Sequence, residues 1–348
     1  MGTGASIPSV EKTNQDFVTQ RFYDKNQKVI AEPSESIIHK FQEITGIKAR
    51  RYAPEGVMAS DLALEAAREA IADAKIDPEK LDFILVANNF GDVIEHTIQS
   101  DFLPALACRV KHGLGIENPD CIAFDILIGC PGWIQCLIQA DLMIRSGEAH
   151  LGLVIGVETL SRVLDPYDRD SMIFSDGAGA VVVQGRGNKE GGMLSSKAIT
   201  LTKTEAYHLY LGKSNFPGSD FRVRYIKMEG RKIYEGALTY VPKVMKEALD
   251  KSGLNVSEVK KIFIHQANEK MDEAIVTRFY KLCGVPMPKD IMPMNISDLG
   301  NSSVATVPTL FHQVCKGEIP GQSVSEGDLI LFVSVGAGLH VNAIVYRM

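Results

Sequence analysis

The chain repeats itself. Phe83-Ile84-Leu85-Val86-Ala87-Asn88-Asn89 resembles Ile262-Phe263-Ile264-His265-Gln266-Ala267-Asn268, about 179 residues further on. Gly129 to Glu148 resembles Leu299 to Glu318 at an offset of about 170, down to the matched Ser146-Gly147-Glu148 and Lys316-Gly317-Glu318. Self-similarity at so long a period means a repeated architecture, here two copies of an α/β unit fused back to back. Under the symmetry relating the copies, Gly300-Asn301 falls where Cys130-Pro131 falls in the first copy. The strand end at His265 lies beside the same pseudo-two-fold axis. A cysteine, a histidine and an asparagine far apart in the chain are thereby expected to meet.

The stretch Ala123 to Trp133 is the centre of the first copy. Its apolar run reads as a buried strand that ends in a tight turn at Gly129. Cys130 follows, and Trp133, Leu137, Ala140, Leu142 and Ile144 carry helical spacing. A cysteine at that junction sits at a helix N-terminus, where unpaired N–H groups and the helix dipole favour thiolate over thiol. Pro131 suits the first helical position, because its missing N–H would have no partner there. Taken alone, a cysteine in an apolar stretch is an inert small hydrophobe. Taken alone, His265 is compatible with a core histidine and Asn301 with a helix cap. Their convergence makes Cys130 read as an acylated nucleophile.

Around these motifs the pattern is α/β. Asn14 to Phe22 and Ser34 to Thr45 carry helical spacing, the second stopped by Gly46. Ser60 is expected to cap a helix running to Ala74. Leu81 to Ala87 and Leu151 to Val157 read as strands, the second followed by a loop through Glu158; Thr97 to His112 reads as a helix. Small residues in Asp176 to Ala180 suggest close backbone packing before a strand from Val181 to Gln184. Gly185 to Gly192 is a polar, glycine-rich linker. It divides an N-terminal half, 1–186, carrying the nucleophile, from a C-terminal half, 187–348, carrying the histidine and asparagine. There the pattern restarts, with helices over Tyr234 to Lys251 and Met271 to Leu282 and a last strand from His340 to Tyr346. Lys48, Arg50 and Arg51 form a basic cluster that suits either a solvated face or an anionic ligand arm.

A net charge of −6 argues against nucleic acid as the main partner. No apolar run is long enough to span a bilayer, so no membrane role is expected. Met1-Gly2-Thr3-Gly4 lacks the basic and apolar regions of a signal peptide, which points to the cytoplasm. Of the six cysteines (Cys108, Cys121, Cys130, Cys136, Cys283, Cys315), none forms a Cys-x-x-Cys pair. They suit neither a disulfide framework nor a metal site. Cys121 and Cys136 read as core.

Six motifs in order carry a family resemblance: Cys130-Pro131-Gly132-Trp133, Asp165-Pro166-Tyr167-Asp168-Arg169, Asp176-Gly177-Ala178-Gly179-Ala180, His265-Gln266-Ala267-Asn268, Gly300-Asn301-Ser302-Ser303 and Gly336-Ala337-Gly338. Over nearly its whole length the chain resembles the β-ketoacyl-acyl-carrier-protein synthase III branch of the thiolase-like condensing enzymes. The resemblance implies a five-layered αβαβα fold of two duplicated halves, and a homodimer. It also implies an acyltransferase that works without a resident cofactor, with a coenzyme A thioester as substrate and acyl carrier protein as partner. In such an enzyme Cys130 takes an acyl group from a thioester primer. Malonyl on carrier protein then loses CO₂. His265 Nε2 and the Asn301 side-chain N–H₂ hold the enolate oxygen, and the enolate carbon attacks the acyl group. The second oxyanion falls to the backbone N–H of Cys130 and Ala337. Arg169 and Asn268 are expected at the coenzyme A site.

The chain also departs from the family pattern. The Trp and Arg that usually precede Thr-Gly-Ile and grip coenzyme A are missing; Lys40, Phe41, Gln42, Glu43 and Ile44 stand there. The usual Cys-Ala-Gly-Phe is Cys-Pro-Gly-Trp. Tyr23 to Ser36 looks like an insertion, and Asp92 to Leu103 is longer than usual. In the family that segment reaches the partner's acyl tunnel, so Phe102 or Leu103 is expected to set chain length, and Glu95 is a candidate base. Two alternatives stand beside fatty-acid initiation. One is a specialised condensing enzyme for other acyl or β-ketoacyl thioesters. The other is a non-catalytic partner subunit of the same fold.

Overall fold

A computed structural model describes residues 2–94, 96–97, 99–185, 187 and 191–348. Two sheets carry the fold. The first holds Thr3–Ser6 (β1), Phe83–Ala87 (β2), Ile122–Ile126 (β3), Leu151–Thr159 (β4) and Asp176–Gln184 (β5), in the order β1-β5-β4-β2-β3. The second holds Gly192–Thr200 (β6), Val259–Ile264 (β7), Leu329–Gly336 (β8) and His340–Arg347 (β9), in the order β6-β9-β8-β7. The strand senses match as well. β1 with β5 and β6 with β9 are antiparallel, as are β5 with β4 and β9 with β8; β4 with β2 and β8 with β7 are parallel. Among the described residues the second sheet has no counterpart of β3. Only the Ile262 N–H bond to the Ile291 carbonyl marks the place.

The helices complete five layers. Ala59–Ala74 (α2) and Leu106–Gly113 (α3) cover the outer face of the first sheet. Gly230–Ser252 (α5) and Glu269–Leu282 (α6) cover the outer face of the second. Between the sheets lie Gly132–Arg145 (α4) and Thr306–Cys315 (α7). α7 is buried almost all round, as a helix between two sheets must be. The strands β2, β4 and β8 are continuous apolar runs for the same reason. Small residues in β5 admit α7: a Cβ on Gly179 would lie 2.7 Å from the Thr309 nitrogen. Ser34–Thr45 (α1) stands apart and roofs the cavity described below.

Several local expectations change. Asn14 to Phe22 shortens to one turn, Asn14–Phe17, because the Asn14 side chain is engaged by the Ile47 carbonyl and Arg50. α2 starts at Ala59, and the Ser60 hydroxyl bonds Asp92 instead of capping. Residues before Leu106 form a small hairpin, Asp92–Val93 with Ser100–Asp101, since Pro104 cannot sit inside a helix. Arg109 pins that hairpin through Asp92 at 2.8 Å and Asp101 at 2.9 Å. Glu158 lies in β4 rather than in the loop after it. β6 escaped notice because an edge strand of alternating polarity has no apolar run. All six cysteines are free, with Cys121 and Cys136 buried. No helix among the described residues is long and apolar enough to cross a membrane.

Candidate active site

Cys130 sits where β3 turns into α4. Gly129 makes the turn at φ +76°, and a Cβ there would lie 2.9 Å from the Ala337 nitrogen. Gly336 presses from the same side: its Cβ would lie 2.6 Å from the Cys130 nitrogen. The Gly336-Ala337 backbone thus approaches the sulfur-bearing residue as closely as glycine permits. Pro131 is the residue before the helix, at φ −71°, and α4 begins at Gly132, one position later than expected.

His265 follows β7, its N–H bonded to the Val333 carbonyl at 2.9 Å. Its Nδ1 lies 2.7 Å from the Thr306 hydroxyl. Burial pushes the imidazole down to about 3, so the ring is neutral at ordinary pH. Asn301 is locked by its backbone: its N–H bonds the Ile173 carbonyl at 3.0 Å, and its carbonyl accepts from Ser175 N–H at 2.8 Å. The Asn301 Oδ1 accepts from Ser303 N–H at 2.8 Å. The Nδ2 end is therefore the part of the carboxamide available as a donor.

Cys130, His265 and Asn301 line one cavity of about 550 Å³. All three are buried, while Lys40, Arg169 and Arg231 on the same wall are exposed. The cavity therefore runs from a mouth of mixed charge, where Glu32 pairs with Lys40 and Asp170 lies beside Arg169, to a buried floor, past Phe41, Met172, Phe174 and Leu209. Asn268 lines it too, and its Oδ1 caps α6 by accepting from Met271 N–H at 3.0 Å. Burial pushes the Cys130 thiol up to about 11, opposed by the Ser303 hydroxyl 3.4 Å from the sulfur. The thiolate preference expected of a helix N-terminus is offset by desolvation in the unliganded site.

Other expected residues lie elsewhere. Phe102 and Leu103 are 40% and 87% exposed on the hairpin, outside the cavity wall of their own chain. Glu95 lies outside the described residues. Arg50 belongs to neither a solvated face nor an anion site. It is fully buried between the rings of Phe17 and Phe41, bonded to Asn14 Oδ1 and to the Lys12 and Met172 carbonyls. Four residues near the floor were not singled out from sequence: Asn89, Glu158, Ser303 and Thr306. Asn89 was signalled by the repeat, since it corresponds to Asn268, and Ser303 closes the Gly300-Asn301-Ser302-Ser303 motif; Glu158 and Thr306 have no sequence mark.

The chain matches the family model for 3-oxoacyl-[acyl-carrier-protein] synthase III over residues 124–201, and the model for its C-terminal part over 249–348. It is 34% identical over 309 residues to the β-ketoacyl-[acyl-carrier-protein] synthase III of Cereibacter sphaeroides, covering 87% of this chain and 88% of that one. The chain belongs to the β-ketoacyl-acyl-carrier-protein synthase III family. The synthase III of Rhodospirillum rubrum is 33% identical, covering 100% of this chain and 98% of that one. The crystal structure of the synthase III of Aquifex aeolicus superposes with a TM-score of 0.81 at 32% identity, covering 100% of this chain and 98% of that one. The fold is thus the thiolase-like one, and this synthase III family member holds its three candidate groups on one cavity floor.

Proposed function

We propose that this chain is an acyltransferase that starts fatty-acid synthesis, joining an acyl thioester primer to malonyl on acyl carrier protein with loss of CO₂. One observation carries the reading: a thiol, an imidazole and a carboxamide share the floor of a cavity open to the surface. The Cys130 thiol passes its proton to water as its sulfur attacks the primer carbonyl; the new S–C bond forms, the bond from that carbon to the coenzyme A sulfur breaks, and the leaving thiolate takes that proton back from water. The Cys130 and Ala337 N–H groups face the oxygen that becomes negative. The malonyl thioester then loses CO₂, and the enolate oxygen takes hydrogen bonds from Asn301 Nδ2 and His265 Nε2. The Thr306 hydroxyl lies 2.7 Å from Nδ1 and 3.0 Å from the Ser303 carbonyl, to which it donates; Nε2 becomes a donor when that proton turns from the carbonyl to Nδ1. The enolate carbon bonds the acyl carbonyl, the C–S bond to Cys130 breaks, and the β-ketoacyl product leaves on the carrier.

The mouth supports a phosphate-bearing arm. Arg169 and Lys40 stand exposed there, beside Arg231. Lys40, Phe41, Gln42, Glu43 and Ile44 stand in the stretch where the family pattern has its ring and its guanidinium. The stacking ring is absent here, and a coenzyme A phosphate would reach Lys40 and Arg169 in competition with Glu32 and Asp170. The coenzyme A thioester is substrate, and no resident cofactor is invoked. Carrier protein docks at the same mouth. We assign the edge of β3 to a second copy, since Ile122, Phe124 and Leu127 are exposed along it with Leu142 of α4. The hairpin carrying Phe102 and Leu103 is then placed to reach the neighbour. We read the chain as two thiolase-like halves meeting at 186/187, working in the cytoplasm as a homodimer.

Incubation with a panel of acyl-coenzyme A esters, followed by intact mass, tests the reading. Short acyl adducts on Cys130 are expected. Exclusive labelling by long or β-keto acyl groups redirects the enzyme to a specialised pathway, as the altered mouth would allow. Absence of any adduct would leave only a partner subunit.

A further inference from the structure

Behind the nucleophile lies a buried polar cluster that the reaction above does not use. Glu158, on β4, is 2% exposed. The Asn89 amide donates to its carboxyl. The same amide nitrogen lies 3.2 Å from the Ser303 hydroxyl, while Asn89 Oδ1 accepts from Gly129 N–H at 3.0 Å. The Ser303 hydroxyl is within hydrogen-bonding reach of the Glu158 carboxyl and 3.4 Å from the Cys130 sulfur. Ser303 is held for this in a left-handed conformation, φ +52°, unfavourable for a serine. One hydroxyl proton therefore faces two acceptors.

We propose that Glu158 is a positioning residue which, in its acid form, turns the Ser303 hydroxyl proton onto the Cys130 sulfur. Counting donors gives the reason. A carboxylic acid accepts from Asn89 through one oxygen and donates from the other to Ser303 Oγ, whose own proton is then free for the sulfur. A carboxylate claims the Ser303 proton for itself and places a negative charge beside the thiolate. Hydrogen bonds from the Asn89 side chain, the Asn89 backbone N–H and Ser303 favour the carboxylate, and burial outweighs them in favour of the acid. Burial pushes Glu158 up to about 8, and Asp176 on β5 adds to that push. The groups that bond it are uncharged: Asn89 after β2 and Ser303 before α7. Cys130 is the other titrating group, and an ionised Glu158 raises its pKa. The inference rests on Cys130 being the working thiol, but its test does not require condensation.

The test is the pH dependence of Cys130 alkylation by iodoacetamide, followed by the mass of the Cys130 peptide from the full-length protein. Iodoacetamide reads the thiolate, so an isolated thiol reacts about tenfold faster per pH unit below its pKa. The wild type is expected to climb in this way and then plateau above about pH 8, where Glu158 ionises. Glu158→Gln keeps both hydrogen bonds without a titrating proton, so its rate climbs through the plateau region. Ser303→Ala is expected to react about tenfold more slowly than wild type at pH 7 and to converge on it above the plateau. A wild-type profile without a plateau overturns the proposal whether or not any variant folds. An unchanged plateau in Glu158→Gln, or a Ser303→Ala deficit equal at every pH, also overturns it. Condensation by Cys130→Ala would sink the functional reading instead, and would leave this profile standing.

Discussion

The two copies place different chemistry on corresponding backbone. In the first, the strand β2 runs into Asn88-Asn89 and β3 is followed by Cys130-Pro131. In the second, the matching stations hold Ala267-Asn268 and Gly300-Asn301, with His265 just past β7. Asn89 serves the nucleophile by holding Gly129 and Glu158, whereas Asn268 caps α6. The helices differ too. α4 begins two residues after Cys130, so its N-terminal N–H groups abut the sulfur; α7 begins at Thr306, beyond an intervening turn at Ser303–Ala305. A nucleophile gains from a helix N-terminus, while a neutral carboxamide donor does not need one. The duplication supplies a common meeting point, and in the proposed reaction divergence at a few positions divides the labour: attack from one copy, hydrogen bonds to the enolate from the other.

The sharpest way to break this division is to remove its first member. Cys130→Ala is expected to abolish the acyl adduct by intact mass and to cut condensation by about 10³-fold or more. The second copy predicts a different defect. Asn301→Ala and His265→Ala should each slow condensation by about 10²–10³-fold, while the adduct on Cys130 still forms within a few-fold of the wild-type rate. If Asn301→Ala stopped acylation as completely as Cys130→Ala, the two copies would not be doing separate jobs. A smaller effect is expected at the mouth. Arg169 is half exposed, so Arg169→Ala should raise KM for coenzyme A primers by about 5–10-fold and leave kcat near wild type. A fall in kcat alone would move Arg169 out of the binding step.

How much of this was written in the sequence depends on what kind of signal each part leaves. The strands buried on both faces were legible because a short, unbroken apolar run bounded by turn residues fits little but a covered strand. The floor was legible because a repeat turns distant residues into neighbours before any coordinates exist. Arg50 was not legible. A basic residue in a Lys-x-Arg-Arg run reads as surface, and only the fold shows it enclosed by two rings and three oxygen acceptors. The pairing of Glu158 with Ser303 escaped for a similar reason. Their importance lies in one shared proton between groups 145 positions apart in the chain, and no periodicity encodes that. The helix expected over Thr97 to His112 failed at Pro104, which outweighed the spacing of the apolar residues.

The smallest effect expected is also the one that sets the two copies against each other most directly. His265, from the second copy, is pushed down to about 3 by burial, from an ordinary value of 6.5. Above pH 6.5 it is neutral whether the chain is folded or not, and it adds no pH dependence. Below that the unfolded chain binds a proton that the folded one refuses, so the folded state loses stability as pH falls toward 3. Glu158, from the first copy, has the opposite sign. It is pushed up to about 8 from 4.5, so between those values the folded chain keeps a proton that the unfolded one releases, and stability declines as pH rises. His265→Gln should therefore gain in Tm relative to wild type as the pH is lowered from 7 to 4. Glu158→Gln should gain as it is raised from 5 to 8. Calorimetry across both ranges decides it: variant and wild-type curves that stay parallel would mean that neither group titrates in the folded protein as its burial requires.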